Sequence, residues 1–414
     1  MRVGIYPGPT KPTDGGSFTI VSEICRALSK RVGQGRHEFV LLATEDSFDL
    51  QSACHGMRVL TLEGEVCPTS TLGRIRRKAT SLAQLAAGVD WKPNYAADKF
   101  LGAHDIDIVW YPSVWNCLTL DVPYFTTVWD IQHRLQPFFP EVSQGREWNI
   151  RERQFSSVLR RAALIVTGTE AGRNEIERFY GVSPDRILTL PHPTPQFLKE
   201  VAEEKPDLQG LSGPFLFYPA QFWPHKNHYG LIEALELLRN RDGIDVNLVL
   251  TGSDKGNLSY VRDLIKQRNL TEAVRILGFV SEGQLAWLYR HALALTYTTY
   301  FGPENLPPLE AFSMGCPVIA SDVTGAREQL GDAAILVHPP RPEPIAEGVK
   351  TLLSDAMLRR RLIEGGTNRA TRFTPDDFVS GIANSLDYFE PLRKCWRSNG
   401  YKANEVCADP RSRT

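Results

Sequence analysis

Short apolar runs of strand length alternate with amphipathic segments of helix length along most of this chain. They form two series, one in each half. The first series comprises Val3–Tyr6, Glu38–Ala43, Arg58–Leu62, Ile108–Tyr111, Tyr124–Val128 and Leu164–Thr167. The second comprises Phe215–Tyr218, Asn247–Gly252, Val274–Leu277, Leu293–Thr296, Pro317–Ala320 and Ala334–Val337. Because strands that alternate with helices form parallel sheets covered by those helices, the pattern predicts an α/β chain with two doubly wound domains.

The segments between the strands have helical periodicity. From Ser17 to about Arg31, apolar residues recur at spacings of three and four, and Ser17 can cap the helix start. Residues 191–214 are rich in proline, glycine and charge, as is typical of a linker. We therefore predict a first domain over 1–190, a linker over 191–214, a second domain over 215–375, a helix over 376–395 and a polar tail over 396–414.

Composition narrows the functional class. The chain has 414 residues, with 47 Lys and Arg against 48 Asp and Glu, so we expect no general affinity for nucleic acid. Seven scattered cysteines have no metal-ligand spacing, which is typical of a reduced cytosolic protein. The chain opens directly on a candidate strand, and no apolar run approaches 18 residues. We expect neither a secretion signal nor a membrane span, and a cytoplasmic location.

Residues 301–330, FGPENLPPLEAFSMGCPVIASDVTGAREQL, have the features of a phosphate-binding loop that leads into a helix. Pro307 and Pro308 suit the first helical turn, where a missing N–H removes no hydrogen bond. The amides of residues 304–306 remain as donors, and the helix dipole favours an anion beside them. Gly302 allows the preceding backbone to bend closely around a ligand.

Lys226 is a candidate to neutralise such an anion. It follows the strand FLFYPA and the turn QFWPH, and it precedes the helix NHYGLIEALELL. The attraction between an ammonium and a departing phosphate grows as negative charge develops, so it favours the transition state over the ground state. The alternative is a solvated lysine at a helix start.

Three stretches now resemble a known family. LPPLEAFSMGCPVIASDVTGAREQL resembles the signature of the retaining nucleotide-sugar glycosyltransferases of glycosyltransferase family 4, and DGGSFTIVSEICRAL and FYPAQFWPHKNHYGLIEAL match in the correct order. The resemblance implies the GT-B fold, in which two Rossmann-like domains face a cleft and the last helix crosses back onto the first domain. It also implies a nucleotide diphosphate sugar as donor, without a metal ion or other cofactor. The sequences LPPLEAF and FYPAQFWPHKNH are most similar to those of mannosyl or related transferases of bacterial surface polysaccharides.

This chain departs from the family pattern in the second domain. The family usually carries two glutamates separated by seven residues; the second matches Glu310, whereas Gly302 stands at the first. Glu304 lies two residues further on, and whether it replaces the missing carboxylate is open. The family's usual arginine is Ala220 here, and the neighbouring Gln221 can donate hydrogen bonds but carries no charge.

A further departure lies in the first domain. The family usually has a His-Asp pair after the fifth strand, and that histidine touches the transferred sugar; this chain reads Trp129-Asp130, with His133 three residues on. Either His133 reaches the sugar from the loop, or Trp129 reshapes the pocket and Asp130 alone is polar.

The resulting site prediction has a catalytic and a donor-binding set. The catalytic candidates are Lys226, Glu304, Asp130 and His133. The donor-binding candidates are Gly15, Gly16, Gln221, Gly252, Phe279, Val280, Gly302, Pro303, Asn305, Leu306 and Glu310. Several have a structural alternative: the glycine pair can form a plain tight turn, Phe279 can fill the core, and Glu310 can be a carboxylate favoured by the helix dipole.

We therefore expect transfer of a sugar, with mannose as the first candidate, to a hydroxyl of a saccharide or lipid-linked saccharide acceptor with retention of configuration. The basic run RIRRK, residues 74–78, can meet an anionic acceptor or the inner face of a membrane, or it can be a solvated helix face. Two alternatives stay open. A nucleotide-sugar 2-epimerase would release free epimerised sugar, and a catalytically silent partner subunit would bind nucleotide weakly or not at all.

Overall fold

The structure, a computed structural model, describes residues 1–12, 15–44, 50, 52–62, 94–118, 120–339 and 341–398. These residues form two α/β units, each built on one parallel sheet, which confirms the predicted fold class. None of the helices within these ranges has an apolar stretch long enough to cross a lipid bilayer.

The first sheet contains seven strands within the described ranges, in the order β3-β2-β1-β4-β5-β6-β7. They are β1 (Arg2–Ile5), β2 (Glu38–Ala43), β3 (Arg58–Thr61), β4 (Ile108–Tyr111), β5 (Tyr124–Thr127), β6 (Leu164–Thr167) and β7 (Ile187–Thr189). Val3 of β1 pairs with Phe39 on one side and Ile108 on the other, both in parallel. The sequence pattern missed β7, because three residues are too few to show a strand period.

The second sheet follows the same plan, with the order β10-β9-β8-β11-β12-β13 in the part of the chain that is described. Its strands are β8 (Phe215–Pro219), β9 (Asn247–Thr251), β10 (Val274–Gly278), β11 (Ala294–Tyr297), β12 (Val318–Ser321) and β13 (Ile335–Val337). Most of these strands are buried along their length, as parallel strands covered by helices on both faces should be.

Helices connect the strands and cover the sheets. Those of the first unit are α1 (Gly16–Lys30), α2 (Tyr95–Ala103), α3 (Gln132–Leu135), α4 (Pro140–Ser143), α5 (Glu147–Arg161) and α6 (Glu170–Tyr180). Those that follow are α7 (Phe197–Glu200), α8 (His228–Glu236), α9 (Leu258–Gln267), α10 (Glu282–His291), α11 (Leu306–Ser313), α12 (Ala326–Leu330), α13 (Pro342–Ser354), α14 (Ala356–Ala370) and α15 (Pro375–Ser398). The expected cap of α1 was wrong: Gly15 holds the N-cap position with φ 72°, and Ser17 lies inside the helix.

The long helix α15 returns to the first unit. Phe378 is fully buried and stacks on Trp110 of β4, with ring centroids 6.2 Å apart. Arg31, just after α1, donates hydrogen bonds to Asp376 at 3.2 Å and to Ser380 at 2.9 Å. The predicted linker contains α7, whose Phe197 and Leu198 pack in the core of the second unit.

In each sheet the chain order reverses beside the first strand. β1 lies between β2 and β4, and β8 lies between β9 and β11. The connections that leave the carboxyl ends of such neighbouring strands run to opposite faces of the sheet, which opens a crevice at the edge. The two crevices meet at the boundary between the units, and the candidate site lies there.

Candidate active site

A cleft of about 650 Å³ lies between the carboxyl edges of the two sheets. Loops after β1, β5, β8, β9, β10 and β11 all contribute to its wall. Every residue of the predicted site lines this cleft except His133. The residues concerned are Gly15, Gly16, Asp130, Gln221, Lys226, Gly252, Phe279, Val280, Gly302, Pro303, Glu304, Asn305, Leu306 and Glu310.

Lys226 ends a short 3-10 turn, Pro224–Lys226, between β8 and α8. Its backbone carbonyl accepts a hydrogen bond from Tyr218 at 2.6 Å. The next residue, Asn227, is buried, caps α8 through Gly230 N at 2.9 Å and donates to Thr298 O at 3.0 Å. The turn is therefore fixed to the ends of both strands that flank the crevice in the second sheet.

Tyr297, the last residue of β11, holds the side chain of Lys226. The ammonium donates to the Tyr297 hydroxyl at 2.9 Å, and that hydroxyl donates to Asn305 Oδ1 at 3.0 Å. Both partners line the cleft. Sequence reasoning missed Tyr297, because an aromatic residue at the end of a buried strand has the pattern of ordinary core.

The glycine pair of the first unit faces the second unit across a narrow gap. A Cβ atom at Gly15 would lie 3.6 Å from Gln221 Nε2, and one at Gly16 would lie 3.5 Å from Leu306 Cδ1. Leu306 is buried and packs in the same apolar cluster as Ile20 and Val21 of α1. Leu306 therefore joins the two units and also lines the cleft.

Glu304, which we predicted as a catalytic residue, directs its carboxyl to the first unit. The side chain is buried, and Oε1 accepts a hydrogen bond from the His192 amide at 2.9 Å. The other oxygen lies over Gly168 in the first unit, where a Cβ atom would overlap it. Glu304 therefore connects the loop 302–306 to the first unit, and the space for it exists because residue 168 is glycine.

Glu304 and His192 meet as neutral groups. Glu304 Oε2 lies 3.7 Å from His192 Nδ1, a distance that would suit a loose ion pair. However, burial lowers the pKa of His192 to about 3 and raises the pKa of Glu304 to about 8. At neutral pH the imidazole carries no charge and the carboxyl keeps its proton, so no ion pair forms here.

Beside this contact, a second carboxylate joins the units. Glu328 of α12 accepts hydrogen bonds from the amides of Glu170 at 2.8 Å and Ala171 at 3.1 Å, at the start of α6. A carboxylate at a helix N-terminus satisfies amides that have no partner within the helix. This contact and that of Glu304 hold the loop 302–306 and α12 against the first unit.

The prediction for His133 is wrong. Only 1% of the residue is exposed, and Nε2 lies 2.9 Å from the Tyr180 hydroxyl and 3.3 Å from Glu152. Burial lowers its pKa. α3 turns the ring into the first unit, whereas Asp130, at the start of the same segment, lines the cleft and accepts from the Gln132 amide at 2.9 Å.

Glu141 and His225 form a contact across the cleft that the sequence did not indicate. His225 Nδ1 donates to Glu141 Oε1 at 2.5 Å, and both residues line the cleft. Burial lowers the pKa of His225, so the imidazole is neutral. Burial acts to raise the pKa of Glu141, but the hydrogen bond from the His225 side chain, together with hydrogen bonds from backbone amides and attraction to His225, leaves that pKa below its ordinary value. The pair places an ionised carboxylate of the first unit beside the turn that carries Lys226.

The remaining donor-side residues lie along the second sheet. Phe279 is 65% exposed and lines the cleft, so its ring does not fill the core. Val280 packs against the core of the second unit. Glu310 accepts a hydrogen bond from Tyr289 at 2.6 Å, and burial raises its pKa to about 7. The amide of Asn305, expected to face a phosphate, instead donates to Gln329 Oε1 at 3.0 Å.

Two further expectations concern metal and membrane. Among the described residues, no group of three or more His, Cys, Asp and Glu side chains is placed to hold a metal ion. The basic run over residues 74–78 lies outside the described residues.

Comparison with known families accounts for both units. Residues 14–195 match the family described as Glycosyltransferase Family 4, and residues 202–369 match the family described as Glycosyl transferases group 1. The two matched ranges follow the chain in the same order as the two sheets.

Individual relatives agree with this assignment. The chain is 28% identical over 251 residues to O-antigen chain mannosyltransferase B of Escherichia coli. The aligned residues cover 59% of this chain and 66% of that protein. It is 23% identical over 258 residues to O-antigen chain mannosyltransferase RfbU of Salmonella typhimurium, which covers 61% of this chain and 67% of that protein. The chain thus spans about two thirds of the length of these relatives.

Among solved structures, HepE of Anabaena in complex with UDP and glucose is similar with a TM-score of 0.68 at 17% identity, covering 94% of this chain and all of that one. At this identity the likeness concerns the fold. Two consecutive family matches, two facing parallel sheets and this likeness lead to one conclusion: the chain belongs to glycosyltransferase family 4 and has the GT-B fold.

Proposed function

We propose that this protein transfers a sugar from a nucleotide diphosphate sugar to a hydroxyl of a saccharide acceptor, with retention of anomeric configuration. Mannose is the sugar we propose first, because two relatives are named O-antigen chain mannosyltransferases. HepE, which has the same fold, was crystallised with UDP and glucose, which supports a nucleotide sugar as donor.

The observation that carries the proposal is the position of Lys226. It follows β8 at the crevice of the second sheet, and it lines the same cleft as Gly15 and Gly16, which follow β1 at the crevice of the first. An ammonium at such a point suits a diphosphate, and the exposed ring of Phe279 at the cleft wall suits a nucleobase.

The chemistry follows from these positions. The bond between the anomeric carbon and the diphosphate oxygen breaks, and Lys226 stabilises the charge that develops on the leaving group. The acceptor hydroxyl bonds to the anomeric carbon on the face that the diphosphate leaves, and its proton passes to the leaving phosphate oxygen. Attack on the same face gives retention without a protein nucleophile.

The acceptor is proposed to enter from the first unit. Asp130 lines the cleft on that side, and its carboxylate can accept a hydrogen bond from a sugar hydroxyl. His133 takes no part, because it lies buried behind the cleft wall. We propose a saccharide or lipid-linked saccharide as the acceptor. We also propose that the basic run over residues 74–78 contacts the membrane surface.

A thermal-shift screen tests the donor side. Nucleoside diphosphates and their sugars are added to the protein, and a ligand at about 100 times its Kd should stabilise the folded state by roughly 2.7 kcal/mol. Stabilisation in the presence of EDTA is expected, because we propose that Lys226 supplies the positive charge without a divalent ion. Stabilisation by none of these ligands would contradict the proposal and favour a catalytically silent subunit.

Product analysis tests the transfer itself. The best ligand of the screen, together with saccharide acceptors, should give a glycoside whose one-bond C1–H1 coupling in NMR indicates the anomeric configuration of the donor. Release of a free epimerised sugar in the absence of acceptor would instead identify a nucleotide-sugar 2-epimerase.

A further inference from the structure

The cleft contains three cationic side chains among the described residues that line it: Arg26, Arg151 and Lys226. Two of them are already paired with carboxylates. Arg26 donates to Glu23 at 2.6 Å, and Arg151 donates to Glu147 at 2.9 Å. Lys226 differs, because within the described residues its partner is the neutral hydroxyl of Tyr297.

The direction of each hydrogen bond around Lys226 follows from elementary chemistry. An ammonium only donates, so the Tyr297 oxygen must accept from it at 2.9 Å. The single tyrosine proton then goes to Asn305 Oδ1 at 3.0 Å. With its oxygen so engaged, the amide group of Asn305 turns Nδ2 toward Gly302 O, and the two lie 2.9 Å apart.

The position of Asn305 is itself fixed. Its backbone N–H donates to Gln329 Oε1 at 3.0 Å, and its carbonyl accepts from Gln329 Nε2 at 2.9 Å. Gly302 has φ 135°, a conformation that favours glycine, and a Cβ atom there would lie 2.6 Å from Asn305 Oδ1. The amide of Asn305 therefore occupies the space that a side chain at position 302 would need.

We propose that Tyr297 and Asn305 are positioning residues for Lys226. They hold the ammonium in the cleft through neutral groups, and the lysine therefore keeps its full positive charge for the diphosphate. A carboxylate partner would hold the lysine equally well but would offset that charge. This inference rests on the proposed function, since it specifies how the same site binds its donor.

Calorimetric titration with GDP and UDP tests the inference in the full-length protein. Tyr297→Phe keeps the ring and removes the hydroxyl. We expect this variant to bind the wild-type protein's preferred nucleoside diphosphate about tenfold more weakly. Asn305→Asp is nearly isosteric but adds a negative charge. It should weaken binding more, and the added loss should shrink as salt is raised because salt screens the charge.

A double-mutant cycle shows whether Tyr297 acts through Lys226. In a Lys226→Met background, Tyr297→Phe should leave nucleotide affinity unchanged, because no ammonium remains to be positioned. Tyr124→Phe is the control: it removes a tyrosine hydroxyl in the first unit, one that donates to Val158 O at 2.8 Å and does not touch Lys226. It should not change the affinity.

The outcomes distinguish a failure of the positioning role from a failure of the proposed function. Equal affinities of wild-type protein and Tyr297→Phe, or a loss that persists in the Lys226→Met background, would overturn the positioning role. If Tyr297→Phe does not fold, the salt dependence of Asn305→Asp decides in the same way. If the wild-type protein binds neither GDP nor UDP nor any other nucleoside diphosphate, the proposed function fails and this inference fails with it.

Discussion

Single residues in the cleft differ in whether their charge is available. Lys226 is held by a hydroxyl, whereas Glu304 and Glu310 are buried, and their pKa values rise to about 8 and about 7. The raised pKa keeps the Glu304 carboxyl mostly protonated at neutral pH, so it neither competes for the ammonium nor repels a phosphate, whereas Glu310 is about half ionised there. Of the three cationic side chains in the described part of the cleft, Lys226 is thus the one held by a neutral partner, and the ionised Glu141 carboxylate lies near the same turn.

The first prediction concerns Lys226. Lys226→Ala should lower kcat by about 10²–10³-fold, which corresponds to roughly 2.7–4 kcal/mol of transition-state stabilisation by analogy with other preorganised donors to developing charge. The unfolding temperature should hardly change, because the side chain is only half-buried and lies at the cleft wall. Steady-state kinetics beside a thermal melt makes the comparison, and near-normal turnover in a folded variant would remove Lys226 from the site.

The second prediction concerns the pH dependence of stability. The Glu304 carboxyl ionises near pH 4.5 when unfolded and near pH 8 when folded. Its contribution to stability is thus fully present below pH 4.5 and is lost as pH rises through about 8. Glu304→Gln can still accept from the His192 amide but does not titrate, so its unfolding temperature should gain on that of the wild-type protein as pH rises from 5 to 8.5.

Activity supplies the second readout for this variant. Because the carboxyl faces Gly168 and His192, Glu304→Gln should transfer sugar about as well as the wild-type protein at neutral pH. A large loss of kcat in a stably folded variant would restore the catalytic role that the structure argues against.

At the scale of elements, the loops that follow the strands carry the site and also join the two units. The loop 302–306 after β11 packs on the loop between β6 and α6, through Glu304 above Gly168. The start of α6 receives Glu328 of α12. The donor-side loop is thus shaped partly by the opposite unit, and a change in the first unit should alter donor binding.

The third prediction tests this connection. Gly168→Ala introduces a methyl group where the Glu304 carboxyl lies, and overpacking of this kind costs about 1–3 kcal/mol. We expect a lower unfolding temperature and weaker nucleotide binding, although residue 168 belongs to the first unit. Gly102→Ala is the matched control, since nothing lies within 4 Å of a Cβ atom there.

A second substitution shows whether Gly168→Ala destabilises the protein through its clash with Glu304. Glu304→Ala removes the carboxyl that clashes, so the combined variant should be more stable than the sum of the single changes allows. Strict additivity would show that the two residues do not interact.

At the scale of the whole molecule, the C-terminal helix makes the two units one structure. α15 follows the second unit in sequence, but Phe378, Val379, Ile382 and Leu386 pack in the core that contains β1 and β4. Removal of a side chain from this helix should therefore destabilise the first unit.

The fourth prediction measures that effect. Phe378→Ala should lower the free energy of unfolding by about 3–5 kcal/mol, because a fully buried ring stacked on Trp110 is replaced by a cavity. Tyr388→Ala on the same helix is the control, since that residue is 83% exposed. Chemical denaturation followed by tryptophan fluorescence compares the two, and equal effects would contradict the role assigned to Phe378.

The sequence alone was enough to predict the two sheets. Twelve of the described strands were predicted to within one residue at each end, because buried parallel strands are short apolar runs between helices and their signal is local. The same reasoning located the loops after β1, β8 and β11. Since parallel strands place their carboxyl ends on one edge, most of the predicted residues line one cleft.

Side-chain direction was decided by tertiary packing. His133 and Asp130 are three residues apart in sequence. The single turn of α3 places the His133 ring in the core, whereas the Asp130 side chain stays at the cleft. The Glu304 carboxyl lies against the first unit because Gly168, 136 positions earlier, leaves room for it. Tyr297 meets Lys226 only because β8 and β11 are neighbours in the folded sheet. A local pattern determines which residues reach an edge, whereas contacts between distant segments determine what each side chain touches there.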